Sequence, residues 1–142
     1  MDSNGFLYAA KMTDALAKEI SETKWDIQLI TELGSLRKLF IHIIRVREIY
    51  RDGLRTGVVE FPGDLPSEYN LIDQLERASN ELAFEFTQVT HESIKMGAEN
   101  LSIMELLNTI VQHEGIHQGQ YFVALKQAGI KLPKQWIQDW NM

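Results

Sequence analysis

Apolar residues in this chain recur at spacings of three and four along almost its whole length, and that period admits helices and little else. In a first segment, about residues 4 to 21, Ala9, Met12, Leu16 and Ile20 keep the spacing with Lys and Glu between them. A short connection through Glu22-Thr23-Lys24-Trp25 leads to a second helix, about 33 to 56, with Leu36, Leu39, Phe40, Ile43, Val46 and Tyr50 on one face. It ends where Gly53 and Gly57 accumulate. The stretch from Val58 to Pro66 is the one long loop, with two of the three prolines, and leaves room for at most one short strand. Ser67 is a reasonable N-cap for a third helix, about 68 to 94, whose inward stripe is Leu71, Leu75, Ala78, Leu82, Phe86 and Val89. The fourth helix has the clearest ends. Ser102 with Glu105 fits a capping box, Gly129 fits a left-handed C-terminal position, and Pro133 forbids continuation, which leaves about 103 to 128 uninterrupted.

Four amphipathic helices joined by short connections, with one long connection between the second and third, predict an all-α four-helix bundle in up-down-down-up order. Residues 1–142 read as a single domain, a length sufficient to bury one core without staples. Trp136 and Trp140 stand one turn apart in the tail and are expected to cap the bundle or to form a dimer contact together with Phe122. A homodimer is the expected assembly.

Charge and composition narrow the function. A net charge of −6 argues against a nucleic-acid partner, because phosphate binding needs a basic surface. The densest basic stretch, Arg37, Lys38, Arg45, Arg47, Arg51 and Arg55, is spread along one helix and offset by Glu48 and Asp52, and reads as a solvated face. There is no cysteine, so a transition-metal site must be built from imidazole and carboxylate. The first residues lack a basic region, and no run approaches the roughly 18 apolar residues of a membrane span. A cytoplasmic protein without membrane attachment is expected.

The fourth helix carries the chemistry. At about 100° per residue its inward stripe is Ile103, Leu106, Leu107, Ile110, then His113, Glu114 and His117, then Tyr121, Ala124, Leu125 and Ala128. Three buried polar groups in one turn of an apolar stripe need partners, since each costs about 1–3 kcal/mol if left unpaired. Histidines at i and i+4 project side by side and can reach one cation at 2.0–2.1 Å. Of the other two histidines, His42 lies at the edge of the apolar face of the second helix, whereas His91 faces away from the stripe of the third, so His42 is the candidate third ligand. Glu114 has three open roles: a fourth ligand, a general base for a metal-bound water, or an acceptor that orients an imidazole. Gln120 and Tyr121, one turn beyond, are candidates for supporting the ligands or a substrate.

His113-Glu114-Gly115-Ile116-His117 also matches the His-Glu-x-x-His pattern of zinc peptidases. Those enzymes pair the helix with a sheet and take a further ligand downstream, and this chain offers neither. It more closely resembles the DinB-like family of helical-bundle metalloproteins, which includes the YfiT-like thiol transferases. The resemblance rests on His42 in the second helix, on His113-Glu114-Gly115-Ile116-His117-Gln118-Gly119-Gln120, and on the run to Gly129 and Pro133. Where the family commonly has Arg after the second histidine, this sequence has Gln118. The resemblance implies a three-histidine site, His42, His113 and His117, for a divalent ion: zinc first, with nickel, iron or manganese as alternatives. It implies a thiol-dependent S-transferase or a hydrolase acting on a small molecule or low-molecular-weight thiol. The competing expectation is a metal-binding or stress-response bundle without turnover.

Overall fold

The computed structural model describes residues 1–141. The helical period delivers helices where it is strongest: α1 over Asn4–Glu19, α2 over Leu36–Thr56, α3 over Leu71–Gln88 and α4 over Ile103–Gln127. A single 3-10 turn, Glu22–Lys24, lies between the first two. The caps explain the limits. Ser35 Oγ accepts from the Lys38 amide at 3.3 Å to open α2, and Gly57, with φ +89°, closes it. Ser102 Oγ accepts from the Glu105 amide at 3.1 Å to open α4. At the far end Ile130 N donates to Leu125 O at 3.0 Å and Gly129 to Lys126 O at 3.2 Å, a Schellman closure around a glycine at φ +70°.

Two expectations from the helical period need correction. The third helix stops at Gln88 rather than 94, and the chain is not all-α. Val58–Val59 (β1), Ser93–Met96 (β2) and Glu99–Ser102 (β3) form a three-stranded sheet in the order β1-β2-β3, the first pair parallel and the second antiparallel. Gly97, at φ +62°, sits first in the two-residue turn between β2 and β3. Ser67 does not cap α3, which starts after Asn70; its carbonyl instead accepts from Gln74 Nε2 at 2.8 Å. The tail folds as α5, Lys134–Trp140. Trp136 is fully buried there and donates from Nε1 to Met12 O at 2.7 Å, which removes it from any surface contact.

The apolar core falls into two clusters. One gathers Leu16, Phe40, Ile43, Leu75, Leu125 and Trp136, and the other Phe6, Tyr50, Leu82, Phe86, Ile94 and Ile110. Between them, on facing turns of α1, α2 and α4, lies a buried polar layer of Thr13, Asp14, Arg47, Glu114 and Gln118. Among the described residues no helix is long and apolar enough to cross a membrane.

Candidate metal centre

The buried face of α4 runs through Leu106, Ile110, Glu114, Gln118, Tyr121 and Leu125. At 100° per residue this arc centres on Glu114 and Gln118, and it leaves His113 and His117 at its edge, half-buried, on the side facing α2. From α2 the more exposed His42 meets them. His42 Nε2 is 3.2 Å from His113 Nε2 and 3.1 Å from His117 Nε2, and the last pair is 3.2 Å apart. Among the described residues these three form the one group of His, Asp or Glu side chains arranged to hold a metal ion.

The triangle fits a divalent ion. Sides of 3.1–3.2 Å place its centre about 1.8 Å from each nitrogen, just inside the 2.0–2.1 Å of a zinc–imidazole bond. His42, His113 and His117 are the residues that would hold such an ion. Protonation states agree. His117 Nδ1 lies 3.0 Å from Gln120 Oε1, an acceptor, so the ring proton sits on Nδ1 and the Nε2 lone pair faces the cluster. Burial holds the His42 and His117 pKa values below the ordinary imidazole range, the Gln120 contact opposing it at His117. His113 is pushed down to about 4 by burial, then by His117, His42 and Arg47. An imidazole held uncharged can offer a lone pair to a cation, and at His117 the Gln120 contact leaves Nε2 free to do so.

Glu114 does not join the histidines. It is 1% exposed and turned inward, with Oε1 accepting from Arg47 Nε at 2.9 Å and from Nη2 at 2.5 Å. Arg47 also reaches Asp14 Oδ1 at 2.9 Å and donates from Nη1 to Leu75 O at 2.8 Å. Burial raises the pKa of both carboxyls, with Arg47 opposing it in each case. Arg47 therefore leaves the solvated face to which the basic stretch assigned it, and is 2% exposed. The missed signal was its position: one turn past Ile43 and one before Tyr50, inside the apolar stripe. Gln118 is a second residue the sequence reading undervalued. Its Nε2 donates to Ala9 O and Thr13 Oγ1, both at 2.8 Å, and ties α4 to α1.

A cavity of about 270 Å³ opens on His42 and His117. Lys38, Leu39 and His42 of α2, His117, Gln120 and Tyr121 of α4, and Glu32 and Leu33 of the loop before α2 line it. The Tyr121 hydroxyl lies 3.2 Å from Leu33 O and 3.3 Å from Ser35 O, so it serves the loop before α2 while its ring forms cavity wall. Burial pushes its pKa up to about 12. His91 stands apart, with Nε2 3.2 Å from Arg55 O near the C-terminal end of α2.

The profile of the DinB family matches residues 4–137. The chain belongs to the DinB family. Two crystal structures of DinB-like proteins share its fold. The protein from Bacillus subtilis is 19% identical, with a TM-score of 0.68 over 92% of this chain and 94% of its own. The protein from Bacillus cereus ATCC 10987 is 17% identical, with a TM-score of 0.69 over 94% of this chain and 98% of its own. A comparison with curated proteins gives no match. In this DinB-family protein the small sheet and α5 accompany the four long helices, and the His42, His113 and His117 cluster sits between α2 and α4.

Proposed function

We propose that this DinB-family protein binds one divalent metal ion through His42, His113 and His117 and acts as a metal-dependent enzyme of the thiol-dependent S-transferase or hydrolase type. Zinc is the first candidate, with nickel, iron or manganese as alternatives. The observation that carries the reading is the convergence of three Nε2 atoms within 3.1–3.2 Å of one another. A bound ion would supply Lewis acidity and acidify a coordinated water or thiol. Gln120 holds His117 in the tautomer that presents Nε2. Glu114 is assigned a positioning role through Arg47 rather than that of base, because a carboxylate shared with a guanidinium and sealed from the cavity has no route to a reacting proton. The open cavity on the ligands favours turnover over a closed structural site. The same reading takes the four long helices as an up-down-down-up bundle, supported by the parallel pairing of β1, which follows α2, with β2, which follows α3.

The test is the metal content of protein purified without an affinity tag, measured by plasma mass spectrometry. One ion per chain is expected in the wild type and none in His117→Ala, with the helical circular dichroism retained. Equal metal content in the two proteins would sink the ligand assignment.

A further inference from the structure

The helix α2 carries six basic side chains, and five are engaged. Arg37, Arg47, Arg51 and Arg55 are in ion pairs, and Arg45 donates to Gly63 O at 2.8 Å. Lys38 alone among these described residues has neither an ion pair within 4.0 Å nor a side-chain hydrogen bond. It lies one turn before His42, on the same side of α2, and lines the same cavity. Its stem crosses the backbone at Gly34, where a Cβ would lie 3.0 Å from Lys38 Cδ. Gly34 has φ +84°, a conformation that favours glycine and so keeps that path clear. Leu33, Leu39 and Tyr121, whose hydroxyl is anchored to the loop, add apolar surface to the same lining.

We propose that this cavity takes a small carboxylate-bearing ligand, its carboxylate bound by Lys38 Nζ and its other end at the histidine cluster, where His42 and His117 line the cavity. The inference rests on the metal-site reading above and adds to it the class of ligand. The volume, about 270 Å³, limits the ligand to a short molecule. An unpaired ammonium beside an apolar wall recognises an anion at the end of a short hydrocarbon stretch. Glu32 lines the same cavity, and its negative charge disfavours a dianionic phosphate over a singly charged carboxylate at that end.

The experiment uses the protein loaded with cobalt(II), read by its visible absorption and titrated with succinate and butyrate. Butyrate supplies a metal-seeking carboxylate alone, whereas succinate adds a second for Lys38. Succinate is expected to bind the wild type about tenfold tighter than butyrate, the effect of one charge-assisted contact. In Lys38→Met succinate should fall to within about twofold of butyrate, with butyrate itself unmoved, and Lys38→Arg should retain most of the preference. The proposal is overturned if the preference survives Lys38→Met, if both acids weaken equally, or if no anion changes the spectrum. Failure of the wild type to take up cobalt, seen before any anion is added, would overturn the metal reading and this inference with it.

Discussion

Replacing Arg47 with Met should produce a protein whose stability deficit depends steeply on pH, and in the opposite sense to ordinary acid denaturation. Arg47 is the one cation facing two buried carboxylates, Asp14 and Glu114. Without it, each carboxyl must stay charged in a buried layer with no facing guanidinium or take a proton. Protonation costs about 1.36 kcal/mol for each pH unit above an ordinary carboxyl pKa near 4. That is about 5 kcal/mol per carboxyl at pH 7.5, but only about 1.4 at pH 5. Breaking one member out of a buried ion pair typically costs about 3–5 kcal/mol, so at pH 7.5 the first figure sets the scale. The carbonyl of Leu75 also loses its donor, a pH-independent penalty of about 1–3 kcal/mol. The sign follows from linkage. In the variant the folded-state carboxyl pKa lies above its unfolded value, so the folded protein binds more protons and its stability falls as pH rises. Urea unfolding of wild type and Arg47→Met, followed by circular dichroism at pH 5 and pH 7.5, isolates the effect in the difference between the two proteins. The deficit should shrink by at least about 2 kcal/mol on going to pH 5. A deficit equal at both pH values would refute the charge argument, and no deficit at all would refute the burial of the layer.

Gly53→Ala should destabilise although alanine is the better helix former. A Cβ at Gly53 would meet Val59 Cγ2 at 2.6 Å and Val59 Cα at 3.2 Å, and overpacking of about 1–3 kcal/mol outweighs a propensity gain of about 1. A raised unfolding midpoint would show that β1 yields freely. In metal-free protein the imidazole of His113, ordinarily near 6.5 and held at about 4 in the fold, contributes stability that is present above pH 6.5 and lost as pH falls towards 4. Unfolding midpoints should therefore be flat above about pH 7 and decline below it, less steeply in His113→Gln; identical profiles for the two proteins would remove His113 as the cause.

The long helices were legible because a 3.6-residue period is a local property, and the ends of α4 because its capping residues are local too. The sheet was not. Ser93–Met96 is too short to establish a period of two, and it follows α3 without a proline, so it reads as more helix until β1 and β3 supply its partners. The histidine pair and His42 were legible from spacing and position on their helices. The role of Glu114 was not, because its partner Arg47 lies 67 residues away and charge along α2 disguised which arginine faces inward. Likewise Gln118, marked in the sequence only as a departure from Arg, acquires its meaning from Ala9 and Thr13 on α1.

The polar layer between the two apolar clusters acts as a vernier for the site. Sliding α2 by one turn, about 5.4 Å, would bring Ile43 or Tyr50 opposite Glu114 and drive a guanidinium into hydrocarbon. Only one height of α2 against α4 is therefore tolerated. His42 precedes Arg47 by five residues on that rigid rod, and His113 adjoins Glu114 on the other. The pairing that locks the core thus sets the level at which three imidazoles from two helices meet, ahead of any ion.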